Sequence, residues 1–447
     1  MTIEPPAPAT APLSQPLVLP CGVTLPNRLG KSAMTEGLAD ASGRANARHA
    51  RLYRKWSEGG AGLLITGNVM IDWRYLERPG NVVVEEGSSV AGTDPEALRQ
   101  WAEAGTAAGN QLWAQISHPG RQCSRMSNTK PVAPSAVQLE LAGFFARPRA
   151  LGDDEILDIV ARYATTASIL RRAGFTGVQI HGAHGYLPSQ FLSPRVNQRT
   201  DRWGGSLENR ARFLLEVVRV TRQAVGPDFP VAVKLNSADF QRGGFELADA
   251  ARVAGWLADE GIDLLEVSGG TYERLRFFEN DAPEAQTTVE AVATRQREAY
   301  FLDYAQALRG EIGKVPMMVT GGFRSRPAME AAVAEKLLDV VGLARPLCVE
   351  PDLPRRLLDG SAVTTPRWEL DHRLGPGPLG PNSPWRSLRG FNHQASVAWF
   401  YRQILALADD RPLPTRMSAR GALVRHLWDE GRLALARRRR WRARSSS

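Results

Sequence analysis

PMMVTGGFRSRPAMEAAVAEKLLDVVGLAR, residues 316–345, holds a short apolar run, a helix-like stretch and a second short apolar run. Residues 316–320 and 338–343 are apolar on both faces, as parallel strands covered on both sides must be. Residues 325–336 between them repeat apolar side chains at helical spacing. The unit reads as strand, helix, parallel strand. Moving upstream, the same kind of short run recurs at 29–34, 62–67, 112–117, 177–181, 231–236 and 264–268. Helix-like stretches follow near 47–58, 94–108, 153–173, 206–225, 246–260 and 294–310, with a last one near 350–358. Ser206 reads as an N-cap, and Asp153, Asp154 and Glu155 put negative charge at a helix start. Eight strand–helix units predict an α/β fold, a (β/α)8 TIM barrel. A doubly wound sheet is the alternative, disfavoured because no GxGxxG follows the first strand.

Four segments are expected: a Pro-rich disordered or extended arm (1–16), the barrel (17–358), an irregular linker with covering helices (359–430) and an Arg-rich tail (431–447). Segment 17–27 has strand-like halves around Cys21-Gly22 and predicts a hairpin closing one barrel end. Residues 394–408 read as a covering helix.

Composition narrows the function classes. With 43% hydrophobic residues among 447, a fully disordered chain is excluded, and no run of about 18 apolar residues offers a membrane span. Cys21, Cys123 and Cys348 are too few for a disulfide scaffold and lack CxxC spacing for an iron–sulfur cluster. Six Pro and no apolar core in residues 1–20 argue against a signal peptide, so the expected compartment is the cytoplasm. The net charge of +9 hints at nucleic acid. Seven of those charges are Arg432, Arg437, Arg438, Arg439, Arg440, Arg442 and Arg444, and the rest of the chain is close to neutral. The tail reads as a solvated, frayed terminus. An arm for nucleic acid or an anionic surface is the lesser alternative.

A barrel carries its active site at the C-terminal ends of its strands. Gly321-Gly322 after the seventh strand lets backbone N–H groups approach a ligand, and Arg345 after the eighth adds a bidentate cation; together they read as a phosphate site. His181 and His184 end the fourth strand, with Tyr186 two residues on. They are two of only seven His in the chain. As a metal site they lack an acid, since none falls in 175–200. As a structural pair they would bond within the loop. As N–H donors aimed at a substrate oxygen, with Tyr186 as general acid, they would serve oxyanion-type catalysis.

Residues 175–210, FTGVQIHGAHGYLPSQFLSPRVNQRTDRWGGSLENR, closely resemble the signature HxAHGYL…FLSPxxNxRxDxxGGSxxNR of the old yellow enzyme family of FMN-dependent ene-reductases. The segments PNRLGKSAMTEG, QISHPGRQ, VKLNSADF, VTGGF and GLARPL resemble their family counterparts in order, from Asn27-Arg28 to about Pro351. The resemblance implies FMN, with NADH or NADPH and a small electrophilic alkene taking turns on one flavin face. It implies that Ser32, Ala33, Met34 and Thr35 lie along the isoalloxazine, with Thr35 at the O4 edge. By the same likeness Gly67 is a small residue beside the ring and Gln115 bonds the pyrimidine edge. Lys234 is a cation near N1 and O2, where many members have Arg. Gly322, Ala344 and Arg345 match the phosphate site. His181 and His184 match the donor pair for a substrate carbonyl, and Tyr186 the proton donor. Gly37 and Ser117 stand where some members place a Tyr and a Trp, which implies a roomy pocket.

Arg199, Asp201, Asn209 and Arg210 read as ties between the long fourth loop and the next helix. An RNA-modifying flavin barrel is a rival reading, as is another FMN-dependent NAD(P)H oxidase. The RNA reading needs an acid-donating Cys, but Cys21 and Cys348 fall near the barrel's beginning and end, and Cys123 has no supporting motif. A membrane partner is not expected, nucleic acid is disfavoured, and self-association is left open.

Overall fold

The computed structural model describes residues 11–87, 93–139, 143–239, 243–268, 306–381 and 383–445. Eight parallel strands form its centre: β1 (Leu29–Lys31), β2 (Leu63–Met70), β3 (Gln111–Ser117), β4 (Gly177–Gly182), β5 (Val231–Asn236), β6 (Leu264–Ser268), β7 (Met317–Thr320) and β8 (Val340–Leu343). Each pairs with its neighbours in chain order, and β8 pairs with β1, so the sheet closes into a barrel. From β3 to β8 the predicted runs match the strands to within two residues, because strands covered on both sides are mostly apolar, while β1 ends at Lys31, short of the predicted 34. Helices Ala47–Glu58, Pro95–Gly105, Asp153–Arg172, Leu207–Val225, Leu247–Asp259, Arg326–Ala334 and Leu353–Leu358 surround it. Of the helix predicted over 294–310, residues 306–312 are helical and 294–305 lie outside the described residues. Ser206 caps its helix as the sequence suggests, and Asn46, Asp94 and Ser325 likewise each accept a first-turn N–H.

The interior is layered. Strands Leu17–Val18 and Thr24–Leu25 form an antiparallel hairpin. Its Leu19 and Leu25 pack on Leu63, Ile65, Trp113, Ala232, Leu264, Met318 and Val340. That apolar floor closes the N-terminal end, and polar residues occupy the layers above it. Residues 12–14, expected in an extended arm, form one 3-10 turn whose Leu13 is buried in the core.

β2 departs from the reading in a way that matters. It was expected over 62–67 and runs to Met70. Its pairing with β3 slips: Ile65 faces Trp113 but Asn68 faces Gln115, so Thr66 and Gly67 form a bulge opposite Ala114. The Thr66 hydroxyl mends the ladder, accepting from the Gln115 N–H at 3.0 Å and donating to the Gly67 carbonyl at 2.8 Å. The Gly67 N–H donates to Glu36 at 2.9 Å. Bulges re-aim the side chains beside them, and here Asn68 is turned toward the fourth strand.

The tail is the main correction. Residues 431–445 are not frayed; they continue a helix, Ala419–Ser445, that packs on helix Arg386–Ala408. Glu430 meets Arg78 at 2.6 Å, and both are buried. The Arg78 guanidinium also lies 3.9 Å from the centre of the Tyr401 ring. Arg437 donates to the Trp73 carbonyl, Arg438 to that of Arg125 and Arg440 to the Ser42 hydroxyl. These arginines spend their donors on loops after β1, β2 and β3, which composition alone could not reveal. Nothing is described of the Arg442 and Arg444 side chains.

Removing one partner of a buried ion pair leaves the other charge uncompensated. Glu430→Ala is expected to lower stability by about 3–5 kcal/mol. Arg432→Ala, on the exposed face of the same helix, is expected to change it by under about 0.5 kcal/mol. Urea unfolding measures both; equal effects would mean the Arg78–Glu430 contact carries no weight.

Candidate active site

Above the apolar floor, inward-facing polar side chains form a belt. Gln115 on β3 donates to Gln179 on β4 at 2.7 Å, and Gln179 donates to Glu266 on β6 at 2.7 Å. Lys234 on β5 meets the other Glu266 oxygen at 2.9 Å, and the Thr320 hydroxyl donates to it at 2.5 Å. Thr320 has then spent its proton, so Ser32, just after β1, is the donor across their 2.7 Å contact. A Cβ on Gly342 would lie 2.1 Å from the Thr320 hydroxyl and 2.5 Å from that of Ser32. Glycine there is what lets Ser32, just after β1, touch Thr320 on β7 across β8.

The belt brings Ser32, Gln115 and Lys234 together, as expected, but supplies partners the sequence reading missed. Lys234 is expected as a cation near the flavin N1 and O2. It is half of a buried ion pair with Glu266. Gln179 and Glu266 were visible as polar residues inside otherwise apolar strands, and that contrast was the available signal.

The next layer holds the reactive groups. The rings of His181 and His184 meet edge to face, with His181 Nε2 3.2 Å from His184 Nδ1. His181 Nδ1 lies 2.8 Å from Asn68 Oδ1, and His184 Nε2 lies 2.7 Å from the Ser268 hydroxyl. The two imidazoles are bonded to each other rather than lying free as parallel donors. His184 has a φ of 58°, a left-handed conformation uncommon for a non-glycine residue. Its N–H is anchored by Asn236 Oδ1 at 3.0 Å. Burial, chiefly, pushes both imidazoles well below their ordinary pKa, with Lys234 adding to it for each. Both rings are therefore neutral. The buried Tyr186 ring lies 4.4 Å from that of His181.

Glu77, in the loop after β2, ties this layer to β1. It accepts from Thr35 at 3.0 Å and from Asn68 at 2.7 Å. Asn68, Glu77 and Ser268 are further site residues not singled out from sequence. The Asn68 side chain enters the site because of the bulge, which no periodicity announces.

A Cβ on Gly67 would lie 2.4 Å from both the Met34 carbonyl and a Glu36 oxygen, so the glycine accommodates a close approach of β2 to the chain after β1. One expectation changes: the space beside Gly37 is not vacant, since a Cβ there would meet the Arg78 guanidinium at 3.3 Å. Ala33 packs at the rim of the apolar floor, and Met34 contacts the Cys348 thiol. The fourth loop is tied as expected: Arg199 pairs with Asp201, and Arg210 bonds the Leu192 and Gly205 carbonyls and Asp249.

At the β7–β8 end, Gly321 and Gly322 have φ of 103° and 83°, and Ala344-Arg345 opens a 3-10 turn. Arg345 and Arg324 converge on Glu369, from the 3-10 turn Trp368–Asp371. Burial raises the Glu369 carboxyl, but Arg345 and Arg324 outweigh it and hold it below the usual range. An anionic group is thus already at home between two guanidiniums beside the glycine turn, and a flavin phosphate has the same requirement. At the other end, the Ser117 hydroxyl is buried without a hydrogen-bond partner among the described residues, two residues beyond Gln115 on the inward face. The residues present fit FMN at both ends.

The family described as NADH:flavin oxidoreductase / NADH oxidase matches residues 12–363. The NADH-dependent flavin oxidoreductase iliE of Hypocrea jecorina is 37% identical over 361 residues, 77% of this chain and 88% of that protein. The old yellow enzyme homologue of Zymomonas mobilis aligns with a TM-score of 0.65 at 26% identity, covering 79% of this chain and 94% of that one. A 2-naphthoyl-CoA reductase aligns with a TM-score of 0.70 at 26% identity over 79% of this chain, which spans 53% of its length.

The belt makes one test immediate. Lys234→Met leaves Glu266 buried with only neutral partners. Urea unfolding is expected to show a loss of about 3–5 kcal/mol. An unchanged midpoint would mean that Glu266 takes up a proton at no cost, and that Lys234 is free to serve another group.

Proposed function

The chain belongs to the NADH:flavin oxidoreductase / NADH oxidase family, of the old yellow enzyme type, and from that membership we propose that it reduces the activated C=C of an α,β-unsaturated carbonyl or nitro compound. FMN, when bound, accepts hydride from NADH or NADPH and passes it to the substrate carbon. The observation that carries the reading is the end of β4, where two neutral imidazoles and a phenol lie in ring contact.

Each residue then has a task. The substrate's activating oxygen sits at the His181–His184 pair, where an imidazole N–H polarises it and stabilises the charge that develops there. The Tyr186 hydroxyl delivers a proton to the α-carbon. Gln115 and Lys234 would hold the pyrimidine edge of the flavin, Lys234 with its charge moderated by Glu266. Ser32, Ala33, Met34 and Thr35 would line the ring. Gly322, Ala344 and Arg345 would hold the phosphate with backbone N–H groups and a guanidinium, and Arg324 would join them.

The RNA reading loses its motive, because Arg437, Arg438 and Arg440 bond to the barrel's own loops. Among the described residues no helix is long and apolar enough to cross a membrane. Three free thiols suit a reducing compartment, and we place the protein in the cytoplasm on that ground.

Proton delivery to substrate carbon is needed only after the flavin is reduced. Tyr186→Phe is therefore expected to leave flavin reduction by nicotinamide within a few-fold of wild type. It is expected to slow enone reduction by about 10²–10⁴, the usual contribution of general acid catalysis. Nitroalkenes, whose reduced anion is stable without that proton, suffer less. Stopped-flow absorbance follows the two halves separately. Equal slowing of both would make Tyr186 a shaping residue, and no effect on either would place the acid elsewhere.

A further inference from the structure

We propose that the outward face of helix Ala419–Ser445 is a docking surface for an anionic lipid bilayer, which it meets without spanning it. Four large apolar side chains of this helix lie in solvent: Val424 is 70% exposed, Leu427 46%, Trp428 66% and Leu435 56%. Their spacing of three, four and seven residues puts them in one stripe, about 17 Å long at the helical rise per residue. The docked face is a different one, where Ala422 and Ala434 are buried and Leu423 packs against the core. A surface helix ordinarily carries one apolar stripe, turned to the core. This one carries a second, turned away.

Cations border the second stripe. Arg425, Arg432 and Arg439 recur every seven residues along one edge of it, and all three are exposed. None of them makes a hydrogen bond or ion pair among the described residues. The helix has two acids, and both are already engaged: Glu430 is buried against Arg78, and Asp429 meets Arg402 at 2.6 Å. The face is therefore apolar and cationic at once, with no carboxylate of its own helix left to neutralise it.

That combination selects among occupants. A second copy would set one row of arginines against another with no acid to receive them. A nucleic acid would use the arginines and leave the apolar stripe wet. A partner peptide docks in a groove, and the stripe has no walls: a Cβ on Gly431, midway between Leu427 and Leu435, would meet nothing within 4 Å. The stripe is a ridge. The headgroup layer of a bilayer yields to a ridge, takes tryptophan at its boundary and aliphatic side chains just beneath it, and presents anionic lipids to flanking arginines. Arginine stems lie along such a surface while their heads reach the phosphates. So short a stripe anchors weakly, and the contact is reversible and needs both halves of the face.

The test is co-sedimentation of the FMN-loaded full chain with vesicles of phosphatidylcholine alone or mixed with phosphatidylserine. Binding is expected on the mixed vesicles at low salt, and about tenfold less on phosphatidylcholine alone or in high salt. Two variants separate the halves of the face. One combines Trp428→Ser with Leu435→Ser; the other combines Arg425→Gln, Arg432→Gln and Arg439→Gln. Each is expected to lower binding about tenfold. All five side chains are exposed, so flavin content and unfolding midpoint are expected to stay as in wild type. No binding to mixed vesicles, or equal binding to both kinds, overturns the proposal. So does a loss confined to the arginine variant, which marks a general polyanion site, or to the apolar variant, which marks plain hydrophobic adsorption. A wild-type dimer in light scattering that Trp428→Ser dissociates gives the face to a second copy. Polyglutamate bound in place of vesicles gives it to an acidic polypeptide. Either result overturns the proposal as well.

Discussion

A carboxylate with no access to water sits in the middle of this barrel, and the architecture of the site follows from satisfying it. Glu266 takes a cation from β5, an amide from β4 and a hydroxyl from β7. An unpaired charge at that depth would be prohibitively costly. Those three strands are thereby fixed relative to β6 by directional bonds rather than by packing alone. Beneath the belt the interior is apolar and sealed by the hairpin. Above it, side chains have fixed partners and few alternative rotamers, as a preorganised site requires. The belt is the boundary between the part of the barrel that holds its shape and the part that does chemistry.

Much of this was legible in the residues themselves, for reasons that can be named. Strands covered by helices must be apolar on both faces, so runs such as 231–236 and 338–343 identify themselves. His181, His184 and Tyr186 stand out because polar rings at a strand end have little other business there. Partners were harder to see. Lys234 is conspicuous alone, but its pairing with Glu266 depends on the register between β5 and β6, which one sequence does not state. Asn68 was hidden more thoroughly. The sequence around Thr66-Gly67 looks like a strand ending, and only a bulge, repaired by the Thr66 hydroxyl and the Glu36 carboxylate, keeps the strand going and turns Asn68 inward.

The C-terminal arginines show the opposite failure. Their composition is that of a solvated tail, and composition was misleading because a helix can place several arginines on one side. Burial of Ala434 and Glu430 marks the docked face. The same helix bears on the site indirectly. Arg78, held by Glu430 and Tyr401, is the chain neighbour of Glu77, whose carboxylate orders Asn68 and Thr35.

That docking also sets an order of events during synthesis. Ser42, Trp73 and Arg125 leave the ribosome long before the arginines that close over them. The loops bearing Thr35 and Glu77 must therefore wait, unclasped, while some three hundred further residues are made. The floor of the barrel can assemble first, but its upper rim is finished only after the arginine helix has been made.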